Sequence, residues 1–309
     1  MTFGFSLQPD RMKVILKESC EALPKSSSAI LYLRMQKLRN ALARRQAHRR
    51  AQIELFQKAS REQAKRIVQL GKRPIVIGGC GRSGTTLLLS ILSCHPKIFA
   101  IDIETTALCP DGYGADGMYN RNPNLDMPFK LEKIYEYLLT HEIPASCTRW
   151  CEKTPRNVIY FERILRHFGK TARLIHIVRD GRDVVTSVHP RDASRYWIMP
   201  HRWVVDVAAG RRLENHLQVL MIRYEDLVRN YEVSMRRICE FIEEEFTPAF
   251  LEYPDSARVK ESIAWFNPAQ TMNDRSIGRW QENKFQDIVA ELLREPGAAE
   301  LLKHYGYLS

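Results

Sequence analysis

The chain has 309 residues, 44% of them apolar, and a net charge of +11. That is enough to bury a full core, so one large α/β domain with an appendage is expected, and a disordered polar chain is excluded. No apolar run approaches the ~18 residues of a membrane span. The basic start of the chain is followed by no apolar stretch of signal-peptide length. The seven cysteines (Cys20, Cys80, Cys94, Cys109, Cys147, Cys151 and Cys239) are scattered, without a zinc-ligand spacing, and read as reduced thiols of a cytoplasmic protein.

The charge is unevenly placed. Residues 1–73 hold 17 Lys/Arg against 5 Asp/Glu, whereas the remainder holds 30 against 31. No acid occurs between Ala22 and Ile53, while Leu31, Leu33, Met35, Leu38 and Leu42 form a rough helical stripe that Ile53, Leu55, Phe56, Ile67 and Leu70 extend. The expected organisation is a basic helical N-terminal extension, residues 1–72, before a domain of residues 73–309. Such a helix suits an anionic membrane surface or an acidic partner, or packs its stripe on the domain with its charges solvated. No aromatic interleaving accompanies the charge, which argues against nucleic acid.

From Arg73 onward, strand-like and helix-like segments alternate. Strands are expected at 74–79, 97–101, 173–178 and 219–223. Helices are expected at 84–94, 128–140, 156–168, 181–188, 200–217, 232–244 and 285–305. This alternation predicts an α/β fold, a P-loop-like parallel sheet flanked by helices. The irregular stretch 110–127 reads as a long loop of the kind that walls a substrate site, and 266–283 is a second irregular stretch.

The turn Gly78-Gly79-Cys80-Gly81-Arg82-Ser83-Gly84-Thr85-Thr86 joins the first strand to the first helix of this domain. Glycines let the backbone bend sharply and approach a ligand, and the first N–H groups of the helix point into the loop. Two threonine hydroxyls and a guanidinium add donors, so the turn suits a phosphate or sulfate. Gly79 and Gly84 have Walker A spacing, but Thr85 stands where that motif requires lysine. A second signal is Arg173-Leu174-Ile175-His176-Ile177-Val178-Arg179-Asp180-Gly181-Arg182-Asp183-Val184-Val185-Thr186-Ser187. Its apolar strand ends at Arg179, at the edge where open α/β sheets bind ligands, and Ser187 lies about two helical turns on.

With these two motifs in place the chain resembles the PAPS-dependent sulfotransferases, which move a sulfuryl group from 3′-phosphoadenosine 5′-phosphosulfate (PAPS) to an acceptor. Gly81-Arg82-Ser83-Gly84-Thr85-Thr86 matches the family's 5′-phosphosulfate loop, and Arg179 with Ser187 its 3′-phosphate motif. Cys151-Glu152-Lys153-Thr154-Pro155, Ile222-Arg223-Tyr224-Glu225-Asp226-Leu227 and Gly278-Arg279-Trp280 match in order, so the resemblance covers roughly residues 74–305. Arg82, where many members have lysine, and the Glu104-Thr105 pair are most similar to the tyrosylprotein branch and its bacterial relatives.

The resemblance implies that Arg82, Ser83, Gly84, Thr85 and Thr86 hold the phosphosulfate and that Lys153 steadies the leaving group. Arg179 and Ser187 would take the 3′-phosphate, while Arg191, Tyr224 and Arg279 would contact the nucleotide. No metal is expected, because a sulfuryl group carries less charge than a γ-phosphate. An acceptor hydroxyl needs a base. Asp102 and Glu104 both follow a strand, with His95 a more distant candidate, and the resemblance favours Glu104. The tyrosylprotein branch has serine directly before its Lys/Arg-Trp pair. This chain has Gly278 there and Ser276 two residues earlier, which weighs against a protein tyrosine as acceptor; the acceptor class stays open. The resemblance implies acceptor-lining loops, expected at 102–127 and 189–203. A P-loop kinase or NTPase and a non-catalytic binding protein are the competing readings.

Overall fold

The computed structural model describes residues 60–111, 123–189, 192–262 and 264–308, with scattered positions between 35 and 50. The chain divides into two compact units, Met1–Ala51 and Gln52–Ser309. The second unit opens with helix α1 (Arg61–Leu70), whose start is set by a reciprocal capping box between Ser60 and Gln63. Ile67 and Leu70 bury its inner face, and Arg66 donates to the carbonyls of Pro144, Ala145 and Cys147. So α1, which falls within the 1–72 segment, packs into the domain core.

Five parallel strands form the sheet. They are β1 (Ile75–Gly78), β2 (Ile98–Ala100), β3 (Arg149–Lys153), β4 (Arg173–Val178) and, beyond a two-stranded hairpin of β5 (Val188–His189) and β6 (Asp192–Tyr196), β7 (Val219–Arg223). Their spatial order is β2-β3-β1-β4-β7. Helix α2 (Thr85–Leu92) follows β1, and α3 (Leu131–Thr140) follows β2. After β3 come a 3₁₀ turn (Pro155–Tyr160) and α4 (Phe161–Phe168). Helix α5 (Gly181–Val185) follows β4, and α6 (Pro200–Arg211) follows the hairpin. Helices α7 (Tyr224–Arg229) and α8 (Tyr231–Ile242) follow β7, and α9 (Gln286–Arg294) and α10 (Ala298–His304) end the chain.

Alternation along the strands explains the three layers. Ile75 and Ile77 of β1 face a core with Leu88 and Leu92 of α2 and Ile238 of α8. Val76 faces the opposite core, with Ile134 of α3 and Phe161 of α4. Both faces are apolar because helices cover both. A third cluster, around Val178, Trp203 and Leu292, seats α5, α6 and α9 beyond the end of β4.

The architecture is the parallel, helix-flanked sheet read from the sequence, with local differences. Strand β3 was not expected, because Arg149, Glu152 and Lys153 interrupt any apolar pattern, yet all five of its residues are buried. Two of these charges have partners inside the fold: Arg149 donates to Ile242 O at 2.5 Å and lies 3.4 Å from Glu244, and Lys153 pairs with Glu104. The expected helix 285–305 is broken by Pro296 and by Gly297, whose φ is +86°. The 181–188 helix stops at Val185 and turns into the hairpin.

His176 on β4 is fully buried against Gly210 of α6. Burial alone lowers its pKa to about 3. An unfolded histidine ionises near 6.5, so below that pH the unfolded chain binds a proton that the folded one refuses. Stability is therefore expected to fall as pH drops from about 6.5 toward 3, by up to about 1.4 kcal/mol per unit from this residue. Urea midpoints measured against pH should show that slope, and the smaller His176→Asn should flatten it. An equal slope in the variant would discount His176.

Candidate active site

The strand order places a topological switch at β1. The chain leaves β1 for the outer strand β2, returns through β3 on one side, and continues to β4 on the other. Ligands of open α/β sheets bind at such a point, outside the carboxyl ends of the strands. The parallel register brings those ends together: Ile77 is level with Lys153, Gly78 with His176, and Val178 with Arg223. A cleft of about 550 Å³ lies at this edge, lined by Arg82, Gly84, Thr85 and Thr86, by Glu104, Arg179 and Tyr224, and by the 264–273 stretch.

The loop after β1 is held open by backbone geometry. Gly84, the N-cap of α2, has φ +96°, and a Cβ there would meet Tyr224 Cδ2 at 2.6 Å. Gly79 leaves room for Ile177 O, which a Cβ would meet at 2.4 Å. Arg82 also adopts a left-handed φ of +67°, a conformation that costs of order 1–3 kcal/mol in a residue with a side chain. Among the described residues no side chain caps α2 at Gly84, so its first N–H groups face the loop.

Cations converge on this loop. Arg82 lies over the Trp197 ring at 5.0 Å and donates to Ala264 O at 2.5 Å. Arg179 lies over the Tyr224 ring at 4.6 Å, donates to Arg82 O at 3.0 Å, and donates to Ser276 O. Burial, with repulsion from Arg179, pulls the Arg82 guanidinium down to about 10, which leaves it charged at neutral pH. Arg82 Nε, Arg179 Nε and Ser83 Oγ are buried with no hydrogen-bond partner among the described residues. Two like charges side by side with orphan donors are what an anion would satisfy.

Glu104 follows β2 and lines the same cleft, with Lys153 Nζ 2.6 Å from its Oε1. Lys153 is almost wholly buried behind it. The neighbouring Asp102 accepts the Tyr137 hydroxyl at 2.6 Å and does not line the cleft. His95 lies past the far end of α2, where it contacts Glu245 O at 3.1 Å.

The remaining sequence-predicted positions are dispersed. Ser187 is buried beside α5, donates to Asp183 O at 3.0 Å, and does not line the cleft. Arg279 is half-exposed, reaching toward Glu282 and Phe285; Arg182, not Arg279, stacks on Trp280, at 3.8 Å. Arg191 lies outside the described residues. In the Arg179-Asp180-Gly181-Arg182 turn, Asp180 and Arg182 pair with each other at 2.7 Å and leave Arg179 to face the cleft.

Several cleft residues were not singled out individually as ligands in the sequence. Arg202 stands beside Gly81, held by Asp206 at 3.4 Å. Trp197 and Ile198 come from the end of the hairpin; Ser276, the serine noted two residues before Gly278, also lines the cleft and hydrogen-bonds the Tyr224 hydroxyl at 2.7 Å. The spacing of Arg202 to Asp206 announces an i, i+4 pair but not where it points. Among the described residues no group of three or more His, Cys, Asp or Glu side chains is placed to hold a metal.

The family model described as "Sulfotransferase family" matches residues 74–248. An uncharacterized protein of Aquifex aeolicus is 25% identical over 272 residues, 79% of this chain but 35% of its own length. Protein-tyrosine sulfotransferase 1 of Danio rerio is 27% identical over 208 residues, 59% of this chain and 56% of that protein. The chain thus spans less than two thirds of either relative. Among solved structures, the sulfotransferase domain from the curacin biosynthetic pathway superposes with a TM-score of 0.50 at 15% identity, over 76% of this chain and 98% of that one, a likeness of fold. With more than half its length matched by the family model, and with the glycine-rich loop after β1 inside that match, this chain belongs to the sulfotransferase family.

Proposed function

We propose that the chain transfers a sulfuryl group from PAPS to an acceptor hydroxyl, with Glu104 as the general base. The observation that carries this reading is the pair Arg82 and Arg179 on one cleft, their buried Nε donors unpartnered, with Glu104 on the same cleft. Thr85 in place of the Walker lysine argues against a nucleoside triphosphate.

In this reading Arg82, Ser83, Gly84, Thr85, Thr86 and the N-terminus of α2 hold the 5′-phosphosulfate. Arg179 and Ser187 serve the 3′-phosphate, with Arg191, Tyr224 and Arg279 on the nucleotide. Bound PAPS supplies an activated sulfuryl group. Glu104 takes the acceptor's proton as the new O–S bond forms and the bond to the 5′-phosphate oxygen breaks. Lys153 and Arg82 stabilise the charge left on that phosphate, and adenosine 3′,5′-bisphosphate departs. The chemistry needs no metal. The acceptor is a peptide tyrosine, a carbohydrate or a small-molecule hydroxyl.

Two features outside the cleft complete the proposal. No helix among the described residues is long and apolar enough to cross a membrane, and the described cysteines are free and buried, which fits a reducing, cytoplasmic setting. Within the basic 1–72 segment, the part that precedes α1 would bind an anionic membrane surface or an acidic partner.

Three measurements test this reading. Adenosine 3′,5′-bisphosphate should raise the melting temperature without Mg²⁺; stabilisation by ATP with Mg²⁺ and none by the bisphosphate would replace it with a nucleotide kinase. Glu104→Gln should keep bisphosphate affinity while lowering sulfuryl transfer from labelled PAPS by ~10²-fold or more. Normal turnover would remove Glu104 from the role of base. Arg179→Ala should weaken bisphosphate binding roughly 10- to 100-fold, the worth of one charge-assisted hydrogen bond. Unchanged calorimetric affinity would discount Arg179 as a phosphate ligand.

A further inference from the structure

Glu152 has no part in the chemistry above, yet it is a fully buried carboxylate at the end of β3, directly before Lys153. Burial of such a charge is costly unless its lone pairs are filled. Three donors fill them. Thr105 Oγ1 at 2.8 Å and Thr154 Oγ1 at 2.6 Å donate to Oε1, and Asn157 Nδ2 at 2.6 Å donates to Oε2.

The polarity of all three bonds is set from outside. Thr105 Oγ1 already accepts the Ala107 N–H at 3.1 Å, so its own proton is directed to Glu152. Thr154 Oγ1 likewise accepts the Thr106 N–H at 3.3 Å. Asn157 Nδ2 also lies 3.2 Å from Ile77 O, which fixes that end of the amide as the donor. Glu152 must therefore accept every bond. An amide or a protonated acid at this position sets a donor against a donor.

The three donors belong to three parts of the site. Thr105 neighbours Glu104 in the turn after β2. Thr154 follows Lys153. Asn157 ties the network to Ile77, the residue before Gly78 and the start of the anion-binding loop. The turn that carries Glu104 leaves an outer strand, and Thr106 in it has a left-handed φ of +53°, so it needs support from the body of the protein. Lys133 supplies some, donating to Thr105 O at 3.2 Å and Thr106 Oγ1 at 2.9 Å, from the side of α3. Glu152 supplies the link toward β3 and the cleft.

We infer that Glu152 is the positioning residue of this site: its buried carboxylate locks the 104–107 turn to the end of β3 and thereby sets Glu104 against Lys153 on the cleft. The inference rests on the reading of Glu104 as the base. Glu152 itself does not line the cleft and acts only through its three donors.

The test uses Thr105, which can lose its hydroxyl at constant shape. In the full chain, transfer from labelled PAPS is measured with a panel of a phenol, a tyrosine peptide, a sugar and an alkyl alcohol, and with water through release of adenosine 3′,5′-bisphosphate. Thr105→Val should lower kcat about 10-fold or more, the scale of a misplaced catalytic group. Bisphosphate affinity should stay within about twofold, since the nucleotide ligands are untouched, and Thr105→Ser should recover most of kcat. Glu152→Gln should lower kcat in the same direction. Wild-type kcat in Thr105→Val, loss of kcat only in proportion to lost bisphosphate affinity, or no recovery in Thr105→Ser would overturn the inference. Glu104→Gln run alongside separates the two ideas. If it is inactive while Thr105→Val is normal, only the role of Glu152 falls; if it turns over normally, the base assignment falls and this inference with it.

Discussion

The whole site depends on the parallel register of the sheet. In a parallel sheet every strand points its carboxyl end the same way, so residues that follow five different strands reach one edge. Here the register sets Ile77 level with Lys153 and Val178 level with Arg223. The glycine-rich loop after β1, Lys153 at the end of β3, Arg179 after β4, Tyr224 after β7 and Glu104 after β2 become neighbours although they span more than a hundred residues of chain. No contact between side chains could assemble them if one strand slipped, because a one-residue shift exchanges that strand's two faces, which here meet different cores.

Both ends of helix α2 show how the chain builds around that edge. At its N-terminus the helix faces the loop with its N–H groups, where negative charge is favoured. At its C-terminus Arg258 donates to the carbonyls of Ser93 at 2.8 Å, His95 at 2.7 Å, and Ile98. A cation at that end is favoured for the same reason. Ser90 and Ser93 hydroxyls bind the same return segment through Val259 O and through Arg258 N and Val259 N. The segment then runs on into the 264–276 stretch, whose ends meet Arg82 and Arg179 through Ala264 O and Ser276 O. Arg82 and Arg179 thus also anchor one wall of the cleft.

Buried charge is where the sequence was hardest to read. Strand β3 carries Arg149, Glu152 and Lys153, and bringing three ions out of water costs several kcal/mol each unless partners compensate. Hydropathy patterns register the cost but cannot see the partners, which come from residues as distant as Glu244 and Glu104. Between Asp102 and Glu104 only the resemblance favoured Glu104, since local pattern alone does not separate two carboxylates after one strand; in the fold Tyr137 of α3 takes Asp102, and Lys153 takes Glu104. Gly278 and Ser276 show the reverse. Ser276, two positions before Gly278, lines the cleft and hydrogen-bonds the Tyr224 hydroxyl, while the left-handed Gly278 donates its N–H to Asp183 at 2.8 Å.

By itself, the sequence determined the elements whose cause is local. These are the Gly-rich turn that only small residues and left-handed backbone permit, the helix that follows it, the apolar strand ending at Arg179, and the α/β alternation that requires a parallel sheet. It named the family's motifs, because each is a short run of residues. Only the tertiary structure decided which side chains share the cleft, how the buried ions of β3 are compensated, and that Glu152 receives its three hydrogen bonds from three separate segments. Those outcomes depend on pairings between residues far apart in the chain, and the strand register that sets such pairings is a property of the whole sheet.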